Sequence, residues 1–72
     1  MENKIYYVIS ISFGQSTEYW NSLLVNDENT TKNEGNAESF DTEQLAENAL
    51  EKFVKPYGIS KGWNVTYTID EL

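Results

Sequence analysis

The stretch "FDTEQLAENALEKFV", residues 40–54, decides the fold, because its apolar positions recur at helical spacing. Leu45, Ala46, Ala49, Leu50, Phe53 and Val54 fall on one face of a 3.6-residue helix. Asp41 stands where an N-cap is needed, with Gln44 at the reciprocal capping-box position. Phe40 and Leu45 then occupy the two hydrophobic-staple positions. Glu43 suits the positive N-terminal end of the helix dipole, and Lys52 and Lys55 suit the other end. Pro56 disfavours helical geometry at Lys55, so the helix is expected to stop there.

Working outward, the flanks read as strands. Residues 5–13 alternate, with Ile5, Tyr7, Ile9, Ile11 and Phe13 on one parity, a period of two built from β-branched and aromatic side chains. Residues 63–69 alternate too, with Trp63, Val65, Tyr67 and Ile69 against Asn64, Thr66 and Thr68. Residues 14–16 and 60–62 read as turns. Residues 18–25, "EYWNSLLV", fit a hairpin strand after the Gly14 turn; a helix would also gather Tyr19, Trp20, Leu23 and Leu24 on one side. The expected order is strand, strand, long loop, helix, strand. It predicts a single α+β domain over 1–72: a small three-stranded antiparallel sheet with one helix packed on one face, β-β-α-β.

This order, together with the segment "AESFDTEQLAENAL" at 37–50, resembles small uncharacterised proteins of phages and prophages. Those chains run strand, strand, an "A-x-x-F-D-T-E-x-x-A" helix start and a closing strand. The resemblance implies a host-interaction or anti-defence role and carries no catalytic residues. Residues 40–58 also resemble the tail of WGR domains, but the Trp-Gly-Arg signature is missing.

Composition narrows the chemistry. The chain has 72 residues and a net charge of −7, with no cysteine and no histidine. Disulfides and thiolate metal sites are therefore closed, and so is the commonest general base. All five basic residues are lysines. Without arginine, and at a pI near 4.2, direct nucleic-acid binding is not expected. No Gly-rich phosphate loop occurs, and the serines lack an activating histidine. No enzyme activity and no cofactor are expected. The start "MENKIYYVIS" lacks the basic and long apolar regions of a signal peptide, and no run has the length of a transmembrane helix. The expectation is a cytoplasmic protein without membrane contact.

Three features are candidates for function. The polar run at 26–38 places Asp27, Asn29, Thr31, Asn33, Gly35 and Glu38 at calcium-loop positions 1, 3, 5, 7, 9 and 12, but Lys32 stands where the turn needs glycine. Residues 26–39 are therefore read as a mobile, metal-free polar loop. Glu43, Glu47 and Glu51 recur four apart and form an acidic stripe on the helix, able to meet a basic groove on a partner. Lastly, Tyr6 and Val8 point away from a helix that covers Ile5, Tyr7, Ile9 and Ile11, and one of Tyr19 or Trp20 must do the same. That face is expected to bind a partner protein or a second copy, giving a homodimer.

Overall fold

The computed structural model describes residues 5–22 and 30–72. Among the described residues there are four strands: β1 (Tyr7–Ser12), β2 (Thr17–Trp20), β3 (Thr30–Thr31) and β4 (Thr66–Glu71). They form one antiparallel sheet in the order β3-β2-β1-β4. The class is α+β, with four strands rather than the three expected. The extra strand comes from the polar run. Thr30 and Thr31 are β-branched, and Thr30 is buried with its hydroxyl donating to Glu18 Oε1 at 2.6 Å. A partnered hydroxyl lets a polar residue join the sheet at little cost. Residues 26–29 of the expected mobile loop, and 23–25 of the expected second strand, lie outside the described residues. The remainder of the loop forms β3 and a short 3-10 turn, Glu34–Asn36.

β1 and β2 are joined through Gly14 and Gln15, where the Phe13 N–H donates to the Ser16 carbonyl at 2.8 Å. The register pairs Ser10 with Tyr19 and Ile9 with Ile69. One step further along β2, Trp20 falls opposite Ile9. Cross-strand partners share a face, so Ile9, Ile11, Trp20, Tyr67 and Ile69 lie on one side and Val8, Ser10, Tyr19, Thr68 and Asp70 on the other.

The helical run spans 43–61 in three pieces: α1 (Glu43–Ala49), a π-helical segment (Leu50–Val54) and α2 (Lys55–Lys61). Its N-cap is Thr42, one residue beyond the expected Asp41, and Thr42 Oγ1 accepts from the Leu45 N–H at 3.1 Å. That shift removes the capping box and the staple. Gln44 Nε2 instead donates to Asn48 Oδ1 at 3.0 Å, while Phe40 exchanges backbone hydrogen bonds with Tyr7. Thr42→Ala should destabilise the protein by about 0.5–2 kcal/mol, as lost caps do. A denaturant titration followed by far-UV circular dichroism checks this.

Pro56 does not end the helix. In the π-helical segment the Lys55 N–H bonds to the Leu50 carbonyl, five residues back, and Pro56 falls in the first turn of α2, where its missing N–H is tolerated. Packing supplies the reason to continue. Tyr57 of α2 meets Trp20 and Trp63 edge to face, both at 5.4 Å, and Trp63 meets Phe13 at 5.3 Å. Three such contacts, each contributing about 0.5–1.5 kcal/mol beyond area burial, offset the local preference against helix before proline. α2 ends at Gly62, whose φ of 74° is the left-handed cap that glycine adopts freely. The Trp63 N–H returns to the Gly58 carbonyl and the Gly62 N–H to that of Ile59, a Schellman closure. Gly58 itself is glycine for space: a β-carbon there would collide with the Tyr67 hydroxyl and press on Trp63.

The core is the layer between the sheet and the helical run, with Ile9, Ile11 and Trp20 against Ala46, Leu50 and Val54. The last three stand four apart, so the buried stripe is narrower than the six-residue face expected. Leu45 and Phe53 are 50% and 61% exposed. No helix among the described residues is long and apolar enough to cross a membrane.

Candidate functional site

The acidic stripe forms one wall of a groove. Glu43, Glu47 and Glu51 are exposed on the helical run, and they line a depression of about 530 Å³ together with Leu50, Tyr67 and Ile69. The opposite wall is β4, the outer strand of the sheet on that side. Regular four-residue spacing puts the three carboxylates along the groove, about 6 Å apart. Glu51 is ion-paired with Lys55, one turn on. Of the other described lysines, Lys61 lies over the Tyr57 ring at 5.5 Å, Lys52 lines a different groove, and Lys32 follows β3 at the opposite edge of the sheet. Glu43 and Glu47 thus line the depression with no lysine among the residues that border it.

That different groove is apolar. It has a volume of about 630 Å³ and runs between the helix flank and the Phe40 segment, with Trp20, Phe40, Ala49, Phe53, Pro56 and Tyr57 on its walls. Phe53 stands at its rim, turned away from the core by the narrow buried stripe. Sequence reasoning assigned Phe53 to the core because its spacing fits an ideal helix; the π-helical segment around it breaks that spacing.

The face expected around Tyr6 and Val8 takes a different form. Trp20 belongs to the core side and is only 5% exposed, so Tyr19 is the aromatic residue that shares the outer face with Val8. Val8 has no exposed surface at all, and Tyr6 and Tyr19 are partly buried. The rest of that face is hydroxylic, with Ser10, Ser12, Thr17, Thr66 and Thr68, and Ser10 Oγ donates to Asp70 Oδ2 at 2.8 Å. Ser10 is itself buried, at 7% exposed, so the middle of β1 is shielded on this face too. Of the four residues expected to offer a partner-binding or dimer face, Val8 and Trp20 are therefore buried, and Tyr6 and Tyr19 keep part of their surface exposed.

The calcium-loop positions that are described have other partners. Thr31 Oγ1 accepts from the Asn33 N–H, Asn33 Oδ1 from the Gly35 N–H, and Glu38 Oε1 from the Ser22 N–H and hydroxyl. Asp27 and Asn29 lie outside the described residues. No group of three or more metal-ligating side chains occurs among the described residues.

Comparison with protein-family models, with curated proteins and with solved structures finds no match to this chain. The functional reading therefore rests on the two grooves and the charge.

Proposed function

We propose that this chain is a small acidic, non-catalytic module that binds another protein through a basic surface. Its role would be that of a phage-type inhibitor or accessory factor acting on a host protein. One observation carries the reading: Glu43, Glu47 and Glu51 line an open groove together with Leu50, Tyr67, Thr68 and Ile69, a lining that is mostly apolar beyond the carboxylates. Carboxylates beside an apolar lining suit lysine or arginine side chains, whose stems pack while their charged ends reach the rim. The −7 charge of the chain would speed encounter with a basic partner and repel nucleic acid.

The experiment is affinity capture from a lysate with three baits: the unaltered chain, Glu47→Lys and Glu34→Lys. The two variants carry the same change in charge, but Glu34 follows β3 at the opposite edge of the sheet. The reading predicts a basic protein held by the unaltered chain and by Glu34→Lys, and lost from Glu47→Lys. Equal loss from both variants, or from neither, would count against the groove.

A second reading is a self-associating structural subunit, a homodimer with no separate target. Exposed Phe53 beside the apolar groove favours it. Under that reading, sedimentation at tens of micromolar gives a two-chain mass and Phe53→Glu returns it to one. A one-chain mass for the unaltered protein removes it.

A further inference from the structure

The backbone of β4 adds a feature that the charge alone does not supply. The Leu72 N–H donates to the Tyr6 carbonyl at 2.9 Å, which makes that pair a hydrogen-bonded one. Hydrogen-bonded and non-hydrogen-bonded pairs alternate along an antiparallel ladder. Asp70, Thr68 and Thr66 therefore direct their backbone groups towards β1, and Glu71, Ile69 and Tyr67 direct theirs outward. No described strand lies beyond β4. The other edge, β3, is only two residues long. β4 has six residues, with no proline, lysine or glycine among them. Its charged residues, Asp70 and Glu71, are both acidic and stand together at one end, so they guard the edge against an acidic strand and not against a basic one. The long open edge and the glutamate wall border the same groove.

We propose that β4 receives an extended, basic segment of another protein as a fifth strand, laid in the groove beside Glu43, Glu47 and Glu51. This rests on the basic-partner reading above and specifies how that partner binds. The outward N–H and C=O groups of Tyr67, Ile69 and Glu71 supply the main-chain hydrogen bonds. Alternate side chains of the added strand then turn towards the helix. These alternate positions repeat at about 6.6–6.8 Å, and the helical carboxylates at about 6 Å, so lysine or arginine at every second residue matches the stripe over its short length. Charge chooses the occupant. A second copy paired antiparallel, β4 to β4, would bring the two glutamate stripes to the same side of the joint, where like charges repel. A basic strand reverses that sign.

The test uses a synthetic peptide, acetyl-Lys-Thr-Lys-Val-Lys-Thr-Lys-amide, and two N-methylated forms of it. In each form one of the two alternate sets of amides is methylated, so one form or the other loses the N–H groups that would face β4. Calorimetric titration should show binding of the parent peptide. It should also show about a tenfold or greater loss for one methylated form and little change for the other, because an added strand uses one set of its amides on the edge it joins. Hydrogen exchange should slow at the Tyr67, Ile69 and Glu71 amides on binding. Equal affinity of all three peptides, abolished by Glu47→Lys, would overturn strand addition and leave the basic-partner reading standing. Binding that Glu47→Lys leaves unchanged, or no binding at millimolar peptide, would overturn both.

Discussion

Trp20→Ala should destabilise the protein by about 3–5 kcal/mol, the range for emptying a buried aromatic site. Trp20 is 5% exposed and belongs to the core cluster with Ile9 and Val54. Its ring also meets Tyr57 edge to face, so its loss removes an anchor of α2 as well as leaving a cavity. At typical stabilities per residue a chain of 72 residues has a total of roughly 4–11 kcal/mol. The loss therefore takes between about a quarter and all of that total, and towards the lower end of the range the variant is unfolded at room temperature. Urea titration by circular dichroism and tyrosine fluorescence is the measurement, with Trp20→Phe as a milder companion. A loss below about 0.5 kcal/mol, the scale of an ordinary surface substitution, would mean that the ring is not core and that β2 is out of register.

Ile9→Ala should cost about 2–5 kcal/mol. Ile9 sits in β1, which has a neighbour on each side, and it is fully buried beneath the helical run. Its cross-strand partner on β4 is Ile69. The effect divides the two faces of β1 clearly, because Ser10 on the other face packs against a hydroxylic surface and Ser10→Ala removes only the hydrogen bonds to Thr68 and Asp70. A loss for Ser10→Ala larger than that for Ile9→Ala in the same titration would place the core on the wrong side of the sheet.

These two residues mark how far the fold was legible in the sequence. Alternation identifies β1, and parity puts Ile9 and Ile11 beneath the helix. Trp20 is harder: the sequence requires that one of Tyr19 and Trp20 face outward, but which one depends on the β1–β2 register. The hydrogen bond from Phe13 to Ser16 settles it. The N-cap moved from Asp41 to Thr42 because both are good caps and a single residue separates them. A local rule makes Pro56 a stop, and non-local packing of Tyr57 between Trp20 and Trp63 overrides it. Thr30 and Thr31 lie in a run whose polarity hides a strand of two residues, too short for any period to register.

The candidate site divides in the same way. The stripe of Glu43, Glu47 and Glu51 is visible from spacing alone. What lies across from it is not, because Tyr67 and Ile69 are brought there by the pairing of β4 with β1 and by the place of β4 at the edge of the sheet. Phe53 and the apolar groove were missed for a local reason, the π-helical segment that turns Phe53 outward. No sequence signal other than the nearby proline points to it.

The most direct measurement of the central claim is a titration of the isotopically labelled protein with the lysine–threonine–valine peptide, followed residue by residue through its backbone amide resonances. The account predicts saturable shifts confined to Glu43, Glu47, Glu51 and β4, weakened by added salt as paired charges require, with Phe53 and Trp20 unmoved. Shifts centred on Phe53, Trp20 and Tyr57, with the glutamate groove silent, would contradict it.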